Sequence, residues 1–357
     1  MFDIETKEKE NYIQVAHELY LLLLEPVLNV LSLPSKSRLI IIPDGALALL
    51  PFEVLLTKSS NVYSPFSKLP YLIELFLVTY HSSATLWHYH RKKNPTWISD
   101  MEPSFIGFAP VYSNYRQNTM STLEEDLWAD GLSPEEIKAD IQPGSSNTNY
   151  RKILETDSPQ VFRKITLNGL DYTELMQTET EVCKISALFS QHQFKSQTVL
   201  HLDATTKAFK EQISGYKYVL FAGHGDYNTD NPEETGLIFS PLPETSGNSV
   251  LYISDAFQLK LQADLVVLSC CESGIGNHNK GDGMNSMNRG FLYAGAKNVI
   301  YTLFKVLDEP SSLFTQALFR HILSQKSYIE AIAAAKTELI EQEFPPLYWS
   351  GFVLMGN

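Results

Sequence analysis

The chain has 357 residues, 44 % of them apolar, which is enough for an extensive core and for about two domains or two halves of one unit. Its 28 basic and 41 acidic residues give a formal charge of -13, which argues against intrinsic binding to nucleic-acid phosphates. Three cysteines, Cys183, Cys270 and Cys271, are too few and too unevenly placed for a disulfide scaffold, so a reducing, cytoplasmic setting is expected.

The polar, acidic start Met1–Glu10 predicts no signal peptide, and no run approaches the roughly 20 apolar residues of a membrane span. Tyr12, Ala16, Leu19 and Leu23 form one stripe, predicting a helix over Asn11–Leu24 that ends or kinks near Pro26. Strands are expected at Arg38–Pro43, Leu75–Thr79 and Phe105–Ala109, with a helix from about Ser82 through Trp87. From Tyr112 to Gln160 the chain is polar, and most of it should lie outside the core, with a small docked helix near Ser121–Trp128. Helical periodicity resumes over Asp171–Phe189, where Cys183 reads as a structural or partly buried thiol.

Further along, the pattern predicts a short strand at Thr198–Leu200, a helix over Ala204–Ile213 and a central strand Tyr218–Ala222. Leu237–Phe239 and Leu251–Ile253 suit an antiparallel pair, and Ser254 or Asp255 can cap a short helix running through Phe257 to Leu261. Leu265–Leu268 and Asn298–Leu303 read as strands, and Gly290–Ala294, Ser311–Leu323 and Tyr328–Glu341 as helices. Trp349–Met355 closes the series as an apolar strand or extended edge. This alternation is the signature of an α/β layer fold.

Two polar residues follow the most apolar of these strands. His224 comes just after Tyr218–Ala222, and Cys271 just after Leu265–Leu268. Delivered by neighbouring parallel strands, they would meet at the carboxyl edge of the sheet, where open α/β sheets place their sites. Their spacing matches the caspase pattern, in which the histidine lies about 50 residues upstream of the cysteine. His224 would take the thiol proton, Cys271 would attack a peptide carbonyl, and the backbone amides of Gly225 and Cys271 are candidate oxyanion donors. Cys270 competes for the nucleophile role, since adjacent strand residues face opposite ways, but Cys271 lies further toward the loop Glu272–Gly274.

The segments Phe221–Gly225, Ala263–Gly276, Gly281–Gly283, Gly290–Val299, Phe304–Asp308 and Trp349–Gly356 together resemble a CHAT domain, a caspase-like cysteine peptidase family related to separases. Leu39–Gly45 and Leu50–Glu53 extend the resemblance over nearly the whole chain. It implies a mostly parallel central sheet flanked by helices, with residues 1–111 as a non-catalytic, caspase-like supporting half, 112–160 as an insertion or linker, and 161–357 as the catalytic half. It places the family's catalytic pair on His224 and Cys271. Cys270 stands where the family usually has alanine, and Phe304 where many members have tryptophan, an aromatic exchange that preserves a channel wall.

Asp308, or alternatively Asp282, could enter the pocket for the residue before the cut and favour Arg or Lys there; a helix cap is the competing role for Asp308. The histidines, cysteines and carboxylates show no metal-ligand spacing, so no metal or cofactor is expected. The expected partners are a protein substrate and a regulatory protein, with neither nucleic acid nor membrane. The alternative function is a catalytically silent interaction module or scaffold.

Overall fold

The computed structural model describes residues 2–93, 101–110, 164–167, 170–173, 175, 177–226, 235–241, 249–270, 277–279, 283–285, 287–304 and 306–356. The expected helix Ser121–Trp128, with Cys271 and Asp282, lies outside them. The chain divides into two compact units, Met1–Val111 with Leu175–Asn357, and Tyr112–Glu174. In the second, β4 (Lys164–Leu167) and β5 (Leu170–Thr173) form an antiparallel pair. The helix expected from Asp171 therefore does not begin there. Leu170-Asp-Tyr-Thr173 extends against a partner strand, and the helix starts at Thr178.

In the first unit the strands are β1 (Ser37–Ile41), β2 (Phe76–Tyr80), β3 (Ser104–Pro110), β6 (Lys195–His201), β7 (Tyr218–Ala222), β11 (Leu265–Ser269), β14 (Asn298–Thr302) and β15 (Phe352–Met355). They form one sheet in the order β1-β2-β15-β14-β11-β7-β3-β6. Neighbours are parallel throughout except at β14 and β15, which run antiparallel. Strands from the first 111 residues thus share a sheet with β7 and β11, the strands that precede His224 and Cys271.

Smaller pairings flank it. β8 (Gly225–Asp226), β9 (Gly236–Ile238) and β10 (Val250–Tyr252) make a three-stranded antiparallel sheet, and β12 (Asn277–Asn279) pairs with β13 (Gly283–Asn285). Helices α1 (Phe2–Leu23), α2 (Glu25–Leu28), α3 (Leu72–Leu75) and α4 (Ala84–Lys93) belong to the first segment. The rest are α5 (Thr178–Gln191), α6 (Thr206–Gln212), α7 (Ile253–Gln258), α8 (Met287–Tyr293), α9 (Asp308–Leu323), α10 (Tyr328–Glu341) and α11 (Pro346–Trp349).

Local chemistry explains where the elements depart from expectation. α1 begins well before Asn11 and stops at Leu23, and Pro26, which lacks an N–H, falls in the first turn of α2, where that donor has no helical acceptor. Tyr252, with an extended backbone, is the N-cap of α7; Asp255 sits three residues on and its carboxylate accepts the Tyr252 N–H at 3.1 Å. Neither Ser254 nor Asp255 is the cap, and α7 stops at Gln258. Pro346 opens a single helical turn, so the final strand starts at Phe352 rather than Trp349.

Strict alternation splits the central strands between two cores. Tyr218, Leu220, Ala222, Leu265, Val267 and Ile300 face the core shared with α1, α5, α9 and α10. Val219, Phe221, Val266, Leu268, Cys270 and Val299 face the other, shared with α6, α7 and α8. Gly107 of β3 permits close packing of α5, because a Cβ there would lie 2.6 Å from Val182 Cγ1.

A buried polar cluster ties the first segment to α10. Lys336 Nζ donates to Glu53 Oε1 at 2.6 Å, the Tyr80 hydroxyl donates to Glu53 Oε2 at 2.5 Å, and the Phe52 N–H donates to the Tyr80 oxygen at 2.7 Å. Tyr80 is paired with Met355, which is opposite Val299 near the start of β14. The cluster therefore lies toward the end of the sheet opposite the carboxyl ends of β7 and β11.

Candidate active site

β7 and β11 are adjacent and parallel, with Ala222 paired to Ser269. His224 lies two residues after Ala222 in the sequence, as Cys271 lies two after Ser269. The pairing continues one step, for the Gly223 N–H donates to the Ser269 carbonyl at 3.2 Å. On the other side of β11, the Thr302 hydroxyl donates to the Cys270 carbonyl. Strand β11 is therefore anchored by both neighbours immediately before position 271.

His224 is half-buried, and its carbonyl accepts the Ile238 N–H at 2.9 Å. That bond makes His224–Ile238 a hydrogen-bonded pair continuing the β8–β9 ladder, so the next pair, Gly225–Leu237, is a non-hydrogen-bonded one. The Gly225 N–H thus points away from β9. Cys270 is buried, 2 % exposed, on the sheet face that carries Leu268. Ala222 belongs to the opposite core.

The described pocket candidates lie beyond β14. Phe304 is half-buried and packs against both cores. Gly351 passes beside it so closely that a Cβ would stand 2.9 Å from Val306 Cγ1 and 3.1 Å from the Phe304 ring. Asp308 opens α9, whose N-cap is Leu307, so it does not cap its own helix. Its Oδ2 instead accepts the N–H of Gln177, the N-cap of α5, at 2.8 Å. Asp308 therefore joins two helix N-termini.

Sequence reasoning missed Glu181. It lies on the buried stripe of α5 with Val182, Ile185 and Phe189, and is 1 % exposed. Its Oε1 is 2.8 Å from the Thr315 hydroxyl, and it also bonds the Ser269 side chain. Burial pushes its carboxyl up to about 8; the Asp308 charge adds to the rise, and the hydrogen bonds from Thr315 and Ser269 oppose it. The legible signal was a carboxylate at a position whose periodicity belongs to the core. Cys183 is half-buried, and burial raises its thiol further from ionisation, which suits the structural role expected of it.

Among known proteins, the family model of the CHAT domain matches residues 14–357. The chain belongs to the CHAT domain family. This CHAT domain is 26 % identical over 343 residues to human tetratricopeptide repeat protein 28, covering 90 % of this chain and 12 % of that protein. Among solved structures, it is similar to the Saccharomyces cerevisiae separase–securin complex, with 12 % identity, a TM-score of 0.45, and coverage of 89 % of this chain and 15 % of that one. It is similar also to the Arg-specific cysteine proteinase gingipain R, with 10 % identity, a TM-score of 0.48, and coverage of 97 % and 66 %. Among the described residues, no helix is long and apolar enough to cross a membrane.

Proposed function

We propose that this CHAT domain is a cysteine endopeptidase acting on a protein substrate, with His224 as general base and Cys271 as nucleophile. The observation that carries this reading is the parallel Ala222–Ser269 pairing, since His224 and Cys271 stand at the same offset beyond it. In the mechanism, the imidazole of His224 takes the thiol proton and the sulfur attacks the carbonyl carbon of the scissile peptide. The oxyanion is held by backbone amides, those of Gly225 and Cys271 being the candidates. The imidazolium then protonates the leaving amine, and water, deprotonated by His224, hydrolyses the thioester.

Cys270 is the weaker nucleophile candidate because it is buried on the core face that Ala222 does not share. A basic residue before the cut remains the proposed preference, read by the Asp308 carboxylate beside the Phe304 wall, with Asp282 as the alternative. Such a role would be additional to the bond Asp308 makes to Gln177. A protein substrate and a regulatory protein are the proposed partners.

The test is to incubate the protein with a proteome-derived peptide library and to read new termini by mass spectrometry, for wild type, Cys271→Ala and His224→Ala. New termini from wild type and from neither variant are expected. Cleavage by Cys271→Ala, with Cys270 intact, would remove the proposed nucleophile. An inert wild type across the library would favour a catalytically silent interaction module.

A further inference from the structure

β1 is one end of the eight-stranded sheet and β6 the other. The two edges are built differently. β6 carries Lys195 and His201 at its ends, and between them Gln197, which is bonded to Gln212 and to the Tyr216 hydroxyl. Charged and polar side chains of this kind discourage a further strand. β1 reads Ser-Arg-Leu-Ile-Ile, followed by Ile42, with neither proline nor lysine inside it. Its one charged side chain is drawn back over the sheet: Arg38 Nε donates to Thr79 Oγ1 at 3.1 Å and Nη2 to the Gly356 carbonyl at 2.8 Å.

The backbone of this edge faces outward at Ile40. The His81 N–H donates to the Ile41 carbonyl at 2.9 Å, so Ile41 turns its backbone groups to β2. Ile40, one residue back, therefore turns its N–H and carbonyl the other way. Among the described residues no strand pairs with β1 on that side.

Apolar surface gathers along the same stretch. Leu19, Leu23, Leu24 and Leu28 turn one side of α1 and α2 to the core, in the cluster that Leu39 and Ile41 also join. The outer side is apolar as well: Leu22 is 73 % and Val30 80 % exposed, Val27, Leu31 and Leu33 are exposed with them, and Ile42 is exposed just past β1. A helix that is apolar on both sides expects cover on both. These six side chains present roughly 600 Å² of apolar surface, the upper end of what a monomer shows in one patch and most of the roughly 800 Å² that each partner of a stable complex buries. Between Leu19 and Pro43 the only charged residues are Glu25, Lys36 and Arg38, in a chain of net charge -13. Two copies repel over much of their surface, and here they can meet without bringing clusters of carboxylates together.

We propose that β1 is a dimer edge, at which a second copy of this chain pairs its own β1 antiparallel to the first about a two-fold axis at Ile40. The residues set the register. Centred on Ile40, the pairing puts Ile40 against its own copy, Leu39 against Ile41 and Arg38 against Ile42; centred on Arg38, it would put two cations opposite each other. The axis is perpendicular to the sheet, so α1 and α2 of both copies lie over the same face of the joined sheet and their outer sides are covered by the same association. The interface uses neither His224 nor Cys271, so it stands or falls apart from the peptidase reading.

Sedimentation velocity of the full chain from about 1 to about 100 µM tests this, and a dimer that dissociates on dilution is expected. Ile40→Lys sets two cations face to face at the axis and should raise the dissociation constant by about tenfold or more. Val30→Glu alters a side chain that the single copy leaves in water, so it should keep the fold, checked by circular dichroism, and weaken the dimer in the same direction. In the proposed register the two Ile40 Cα atoms stand about 5.5 Å apart, within the range of a disulfide. Oxidised Ile40→Cys should therefore be linked between copies at position 40, as read by peptide mapping, whereas Thr198→Cys on the opposite edge should not. Val30→Glu and Ile40→Cys carry the test where Ile40→Lys folds poorly.

Wild type sedimenting as a single copy up to about 100 µM would overturn the proposal and leave this face to a different protein. A dimer as tight in folded Ile40→Lys or in Val30→Glu as in wild type would overturn it too, as would Ile40→Cys linking no faster than Thr198→Cys.

Discussion

Replacing Lys336 with methionine leaves Glu53 without its cation in a site where the two side chains are 1 % and 4 % exposed. At the 2.6 Å separation of Nζ and Oε1, the attraction is about 6 kcal/mol for an effective dielectric of 20. Most of that offsets the cost of burying both ions, so the pair adds little net stability, but breaking it exposes the full penalty on the survivor. The expected loss is about 3–5 kcal/mol. Glu53→Gln in the same chain keeps an acceptor for the Tyr80 hydroxyl and removes the orphaned charge, so the double variant should recover about 2 kcal/mol or more of that loss. Urea titration followed by fluorescence measures both, with the slope expected to stay constant while the midpoint moves. A single variant that loses under about 1 kcal/mol, or a double variant no more stable than the single, would refute the burial penalty assigned to an unpaired Glu53. Because the cluster lies toward the opposite end of the sheet from Ser269, Cys271 reactivity per folded molecule should not change.

Glu181 makes stability depend on pH in an unusual direction. Its carboxyl is raised from the ordinary 4.5 to about 8 in the folded protein, so between these values the unfolded chain ionises while the folded one keeps its proton. Folding stability attributable to this group is complete below pH 4.5, falls by about 1.4 kcal/mol per unit as pH rises, and levels off above about 8. Relative to wild type, Glu181→Gln should gain stability steadily from pH 5 to 8 in urea titrations; a constant difference would contradict the shift. Gly107→Ala should cost about 1–3 kcal/mol by forcing α5 off β3, read by thermal melting, because its Cβ would lie 2.6 Å from Val182 and 2.8 Å from the Phe105 ring. Ser327→Ala should cost about 1 kcal/mol in the same assay, since Ser327 and Glu330 form a capping box that opens α10.

What could be read from the sequence was what is decided locally. The bounds of Tyr218–Ala222 and Tyr328–Glu341 follow from an apolar β-branched run and from a capping serine ahead of an alanine-rich stripe, and both stand as expected. The α/β layering and the strands before His224 and Cys271 follow from the same patterning, whereas the mostly parallel sheet was implied by the resemblance to the CHAT domain. Long-range partners did not show. Nothing near Asp308 announces the Gln177 N–H that it accepts, and nothing near Lys336 announces Glu53. Both Glu181 and Lys336 break the apolar stripe of their helices, which marks a polar partner across the core without naming it. Ile165 and Tyr172 have the chemistry of a strand pair, yet beside the helical stripe that follows, Asp171–Thr173 reads as its first turn.

The antiparallel junction of β14 with β15 also sets an order of assembly. β15 sits between β14 and β2, so the β1–β2 pair, made before β15, has no seat in the sheet until residues 352–355 have left the ribosome. Until then β2 presents a row of unpaired backbone groups, and the strands that precede His224 and Cys271 can fold without it. Translation pauses or nonsense changes upstream of Phe352 would thus yield two pieces of sheet that cannot join, a hazard for aggregation even where the helices have already formed.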